Sequence, residues 1–319
     1  GAFRVNSGAS APGTIVAFLS YFAIMQQAVM AITRIFVVFS MASASAGRIA
    51  AVLDIEEDLV VQRPEPDKNN HIYLTGKTDY YHISFNHVFF SYTQEPCISD
   101  IDFHLNRGES LGIIGSTGSG KTTLINLLMR FYDVISGSIT INGQDVRSFD
   151  KQELRKKFGV VFQNDVLFAE DIYENISFGR KLPLDDVKAA SEHAQAAPFI
   201  ENLEDKLEFK LAIKGSNLSG GQKQRLLVAR ALAGKPEILI LDDSSSALDY
   251  KTDSLLRKAI RENYQDTTSI IIAQRISSVM KLDHILVIED GRMVGYGTHE
   301  KLLNSCEVYQ EIYQSQLMS

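Results

Sequence analysis

Cysteine is scarce in this chain: its 319 residues hold two, Cys97 and Cys306, in unrelated contexts and without a CxxC spacing. That argues against a disulfide framework or a zinc site and fits a reduced, cytosolic setting. Basic runs are also missing. The formal net charge is −7 and no Lys/Arg run is long enough to track phosphates, so no nucleic-acid partner is expected. Neither an internal repeat nor a low-complexity tract occurs. The composition, 45% hydrophobic and 22% charged, is that of folded protein, and the length suits two unequal parts.

What is present begins with an apolar run from Thr14 to Met41, interrupted only by Ser20, Gln26, Gln27, Thr33, Arg34, Ser40 and a few amphipathic residues such as Tyr21. At about 1.5 Å per residue, a helix of this length more than spans a hydrocarbon core of roughly 30 Å. It reads as one transmembrane helix. A secretory signal is a poorer reading, because the run is too long, no basic region precedes it, and the helix continues through Ala42-Ser-Ala-Ser-Ala-Gly-Arg48 toward Leu53. The chain does not begin with Met, and one helix cannot form a translocation pathway. The expectation is the C-terminal part of a longer polytopic protein. Ser20, Gln27 and Arg34 share one helical stripe, open to three readings: packing inside a bundle, snorkelling of Arg34, or the lining of a substrate cavity.

Three parts are expected: the end of a membrane domain over 1–53, a linker over 54–81, and a catalytic-type domain over 82–319. The linker carries Glu56-Glu-Asp58 and Arg63-Pro-Glu-Pro-Asp, where Pro and acidic residues replace apolar periodicity. From His82 the pattern is α/β. Strands are predicted over His82–Phe89, Ser110–Ile114, Ser138–Ile141, Gly159–Phe162, Ile238–Leu241, Ser269–Ala273 and His284–Ile288, several of them short continuous apolar runs suited to burial between helix layers. The stretch Glu300–Leu317 reads as one polar, partly amphipathic helix without evident chemistry.

Gly115-Ser116-Thr117-Gly118-Ser119-Gly120-Lys121-Thr122 fits GxxxxGK[ST], a P-loop, and Thr123 opens the helical run that follows. The strand Leu111-Gly-Ile-Ile114 before it supplies the context that turns the pattern into a mechanism. Glycines let backbone N–H groups face phosphate oxygens, and the helix N-terminus adds partial positive charge. Lys121 is expected on the β- and γ-phosphates of ATP, and Thr122 on Mg²⁺.

Leu218-Ser219-Gly220-Gly221-Gln222 then precedes a helical run, and Ile238-Leu-Ile-Leu-Asp242-Asp243-Ser-Ser-Ser-Ala-Leu-Asp249 follows. Together with the P-loop these resemble the signature, Walker B strand and D-loop of the ABC ATPase family, over essentially all of 82–319. The resemblance implies an α/β P-loop NTPase fold with a helical subdomain, preceded here by one transmembrane helix. It also implies a head-to-tail pair, in which Ser219, Gly220, Gly221 and Gln222 serve the γ-phosphate on another chain's P-loop. Tyr92 matches the aromatic that stacks on adenine, although a strand Tyr also serves as ordinary packing. Gln163 matches the residue touching Mg²⁺ and the attacking water, Asp242 the carboxylate holding Mg²⁺, and Asp249 the D-loop acid.

Two positions depart from the pattern. Asp243 stands where the family places a glutamate, and Gln274, in Ile270-Ile-Ile-Ala-Gln274-Arg, replaces the switch histidine. Asp243 is one methylene short, and a misplacement of about 1 Å can cost roughly 10²-fold in rate. Gln274 hydrogen-bonds but takes no positive charge. The expectation is good ATP binding with slow hydrolysis, unless Asp243 merely orients the D-loop or a water fills the gap. An intact signature beside an altered catalytic pair suggests a heterodimer with a second ABC half-transporter that carries the Glu and His. Leu128-Met-Arg-Phe-Tyr-Asp133 and the run Phe168 to Gly179 resemble the exporter branch, implying an inner-membrane protein with lipid around it and a cytoplasmic ATPase domain. The exported substrate stays unknown. A slow homodimeric exporter and a membrane-anchored ATP-binding regulator are the competing readings.

Overall fold

The computed structural model describes residues 3, 6–8, 11–55, 59–62, 80–242 and 248–317. It divides into two compact units, Gly1–Asp58 and Leu59–Ser319.

The first unit is dominated by helix α1 (Pro12–Leu53), which starts on a proline whose fixed φ suits a first turn. Gly13–Leu53 is long and apolar enough to cross a membrane. The Ser20 and Thr33 hydroxyls donate to the Val16 and Val29 carbonyls at 2.9 and 3.0 Å, so their polarity is absorbed by the helix's own backbone. The acidic run at 56–58 and the Pro-rich stretch from 63 lie outside the described residues.

In the second unit the chain runs β1 (Ile83–Phe90), β2 (Ile98–Leu105), β3 (Ser110–Ile114), α2 (Lys121–Leu128), β4 (Ser136–Ile141), β5 (Gln144–Asp145), α3 (Lys151–Lys156) and β6 (Phe158–Val161). A helical stretch follows: α4 (Ile172–Ser177), α5 (Leu184–His193), α6 (Ala197–Ile200) and α7 (Gly220–Ala233). The chain returns through β7 (Ile238–Asp242), α8 (Tyr250–Asn263), β8 (Thr268–Ile272), β9 (His284–Glu289), β10 (Arg292–Gly297), α9 (His299–Ser305) and α10 (Glu307–Leu317). The sheet order is β5-β4-β1-β2-β10-β9-β3-β8-β7-β6. Pairs β9-β3, β3-β8, β8-β7 and β7-β6 are parallel, whereas β1, β2, β4 and β5 pair antiparallel.

The period of two decides what each face buries. Leu111 and Ile113 of β3, Ile238 and Ile240 of β7, and Ile270 and Ile272 of β8 join α2 residues such as Leu124 and Leu127 in one core. Ile114, Leu239, Leu241 and Ile271 point the other way, into a core shared with α7 residues such as Leu226 and Leu232. Burial on both faces explains why these strands read as unbroken apolar runs.

Two features depart from the sequence expectation, and a third adds to it. Strands β2 and β10 were not anticipated: β2 alternates apolar residues with Ser99, Asp100, Asp102 and His104, and β10 carries Gly295 and Gly297, so neither forms an apolar run. The expected single C-terminal helix is two, broken where Cys306 adopts extended backbone (φ −124°, ψ 106°) and is buried against β10. Part of the expected linker is held to the domain: the buried Arg130 guanidinium donates to the Val60 carbonyl at 2.7 Å, and the Gln62 amide to the Arg147 carbonyl at 2.9 Å.

Candidate nucleotide site

Strands β3, β8, β7 and β6 end level with one another, because Ile113 pairs with Ile272, Ile272 with Asp242, and Leu241 with Val161. The segments leaving their carboxyl ends therefore converge, where ligands of open parallel sheets bind. A cavity of about 220 Å³ there is lined by Thr117, Gly118, Gly120, Lys121, Thr122, Thr123, Gln163, Asp242 and Gln274. Residues up to 157 positions apart in sequence are thus gathered around one loop.

The loop has the form an anion site needs. Gly120 caps α2 at φ 104°, a left-handed conformation that glycine takes without strain, and no side chain caps the first-turn amides. Those N–H groups and the helix dipole present positive potential to the cavity. The Lys121 ammonium donates to the Gly115 and Ser116 carbonyls at 2.8 and 2.6 Å. Burial lowers its pKa, and the neighbouring Asp242 carboxylate pulls it back up.

A hairpin distant in sequence braces this loop. The Gly291 amide, in the turn between β9 and β10, donates to the Ser119 carbonyl at 3.1 Å, and the Gly291 carbonyl accepts from the Ser99 amide at 2.8 Å. Gly291 has φ 75°, and a Cβ there would run into the Cys97 carbonyl. Sequence reasoning missed this brace, although Asp290-Gly291 between two strands is a hairpin-turn signal.

Tyr92 lies beside the loop, about half exposed. Its hydroxyl donates to Thr123 Oγ1 at 3.4 Å, and its ring stands edge-on to Phe90 and Tyr132, centroids 4.8 and 5.0 Å away. Tyr132, which the sequence reading passed over, helps fix that ring plane. Gln274 is held from behind by another unanticipated residue: Gln316 of α10 donates to the Gln274 carbonyl and accepts from the Ile276 amide, both at 2.8 Å.

The signature lies elsewhere. None of Ser219, Gly220, Gly221 and Gln222 lines the cavity. Ser219 caps α7 in a reciprocal box: its Oγ accepts from the Gln222 amide at 3.3 Å, while its own amide donates to Gln222 Oε1 at 2.8 Å. Accepting that bond leaves the hydroxyl proton available to an outside acceptor. Asp243, with residues 244–247, lies outside the described residues. Asp249 caps α8: its carboxylate accepts from the Thr252 amide at 2.9 Å and the Thr252 hydroxyl at 2.7 Å, which hold its pKa below the ordinary value.

Residues 98–246 match the family model for ABC transporters. This part of the chain has the ABC ATPase P-loop fold. The chain is 37% identical over 319 residues to the uncharacterized ABC transporter ATP-binding protein YknU of Bacillus subtilis (strain 168), covering 99% of this chain and 53% of that protein. It is 36% identical over 313 residues to a fatty acid ABC transporter ATP-binding/permease protein of Mycobacterium tuberculosis, covering 98% and 48%. It is also 36% identical over 312 residues to an ATP-dependent lipid A-core flippase of Vibrio vulnificus, covering 96% and 51%. A solved bacterial Atm1-family ABC exporter with ATP bound superposes with a TM-score of 0.70 at 36% identity, covering 73% of this chain and 42% of that one. The chain spans about half the length of the curated relatives it matches.

The ABC domain's cavity also fits a hard divalent cation. Thr122 brings a hydroxyl, Gln163 an amide oxygen and the buried Asp242 a carboxylate, the oxygen donors that Mg²⁺ takes beside phosphate.

Proposed function

We propose that this chain is the ATP-binding half of a heterodimeric ABC exporter whose own P-loop site binds MgATP firmly and hydrolyses it slowly. In this reading residues 1–53 end the membrane domain, 54–81 connect, and 82–319 form the cytoplasmic ATPase on the inner membrane. The observation that carries it is the cavity beyond the sheet: Gln274 stands with Lys121, Thr122, Gln163 and Asp242, while the chain's own signature lies outside.

The assigned work is positioning and charge, as phosphoryl transfer requires. The P-loop amides from Gly115 to Thr123 and the Lys121 ammonium hold the phosphates, and Tyr92 offers its exposed ring face to adenine. Thr122, Gln163 and Asp242 would hold Mg²⁺, which when bound neutralises phosphate charge. Asp243 and Gln274 handle the attacking water less well than Glu and His do. Ser219 to Gln222 complete the γ-phosphate site of a partner half-transporter, where the free Ser219 proton and the α7 amides serve as donors. Closure of that pair around ATP drives export of a substrate defined by the membrane helices.

The test is mild extraction of the full-length protein from its native membrane, followed by intact mass of the complex and its ATPase rate. The expected result is a two-component complex in which Asp243→Glu with Gln274→His raises hydrolysis at this chain's site about 10²-fold, as restored positioning should. A homodimer that hydrolyses at a typical enzyme rate of about 10 per second, unchanged by the pair of substitutions, would sink the proposal.

A further inference from the structure

A second cavity lies apart from the nucleotide site. It encloses about 490 Å³ between α8, strands β7 and β8, and the segment 277–283, and shares no lining residue with the phosphate-side cavity. Gly108 and Ser110, at the opposite end of β3 from the P-loop, lie on its rim. Its size falls within the range of about 300–1,000 Å³ usual for small-molecule sites.

One face of α8 forms a wall, since Leu256, Arg257, Ile260 and Arg261 recur at helical spacing. Leu241, Ile271 and Met280 stand opposite, giving the cavity an apolar floor. The cavity is partly open to solvent, and an apolar group seated against that floor would leave water and gain contacts. The polar rim is specific about charge. Arg257 is already engaged, donating to Asp253 Oδ2 and to the Ser278 carbonyl, both at 2.7 Å. Asp283 is engaged too, accepting from the Ser110 amide at 2.8 Å and hydroxyl at 2.6 Å. Arg261 and Lys281 also line the cavity, and among the described residues neither has a carboxylate partner.

We propose that this cavity binds a small amphipathic monoanion, a single-chain carboxylate, with its tail between the Leu256 and Ile260 wall and the Leu241, Ile271 and Met280 floor and its charge met by Arg261 and Lys281. An apolar floor selects for the chain, and two cations with no carboxylate partner among the described residues select a carboxylate over its neutral alcohol.

The probe is a dodecanoate carrying a chain-borne diazirine, photolysed with the full chain in phosphatidylcholine nanodiscs, with labelled peptides mapped by mass spectrometry. Saturable labelling is expected within 253–264 and 278–283, suppressed by excess dodecanoate and not by dodecanol. Arg261→Gln with Lys281→Gln should lower labelling of those peptides at least about tenfold, through the loss of both charge-assisted contacts, while labelling of α1 stays unchanged. Because the dodecanol comparison uses the unaltered chain, it decides the matter even if the double variant folds poorly. Labelling confined to α1, or cavity labelling suppressed equally by acid and alcohol, overturns the proposal.

Discussion

Gln316 illustrates what a single side chain can do out of sight of any motif. It donates to the Gln274 carbonyl and accepts from the Ile276 amide, fixing the backbone on both sides of Arg275. Replacing it by leucine leaves two backbone groups without that partner, at a cost of about 1–3 kcal/mol if they stay buried. We expect Gln316→Leu to speed hydrogen exchange at Ile276 by at least about tenfold while exchange at the P-loop amides is unchanged. A uniform rise across the domain would instead mean global destabilisation. Tyr92 yields a second prediction: Tyr92→Leu should weaken ATP binding about tenfold, and Tyr132→Leu less, measured by calorimetry on the full chain, because in the proposed function the first removes the stacking face and the second only its brace. Lys121 and Thr122 stood out in the sequence through the P-loop pattern after its strand, and Gln163, Asp242 and Gln274 through the resemblance to ABC ATPase motifs; all five line one cavity. Gln316 and Tyr132 did not stand out, because a side-chain bond across 42 residues or an edge-on ring contact leaves no periodic trace.

At the scale of elements, capping decides how the signature and the D-loop acid are presented. Ser219 and Gln222 close a box at the start of α7, so Ser219→Ala should lower domain stability by about 1 kcal/mol in urea melts, the usual value of such a cap. Asp249 does the same for α8 as a carboxylate held below its ordinary pKa by Thr252. Its folded pKa is depressed, so its contribution is fully present above the unfolded carboxylate value and is lost as pH falls through the folded one. Asp249→Asn should keep a cap and remove that acid-side dependence, read as the pH profile of the melting midpoint; an unchanged profile would refute the assignment. Strands buried on both faces were legible as apolar runs. Strand β2 escaped because each of its polar residues is in place on a half-solvated antiparallel ribbon, and β10 because glycine dilutes its pattern.

For the whole domain, the seam between the antiparallel and parallel parts of the sheet is narrow. Strands β2 and β10 meet through one registered pair, Ser99 with Arg292. Buried His82, just before β1, adds a second tie: its Nδ1 lies 2.5 Å from Thr268 Oγ1 on β8. Burial lowers the His82 pKa, nearby Arg107 and Lys157 lower it further, and Glu237 opposes them. The unfolded chain therefore binds more protons than the folded one between that lowered value and about 6.5. Stability should be full above pH 6.5 and fall as pH drops through this window. Urea midpoints at pH 7.5 and 5.5 test it, and His82→Gln should flatten the difference; a midpoint that rises on acidification would contradict the burial argument.

The Gly291 brace carries a consequence for synthesis on the ribosome. The P-loop is complete in sequence by Thr122, yet Ser119 is held by an amide 172 residues further along and on the far side of the helical stretch. Closing so long a loop is entropically unfavourable until β9 and β10 have emerged and paired. A nascent chain halted before Asp290 would carry the whole motif without its brace. Nucleotide would then gain its hold late in translation, when the last strands dock.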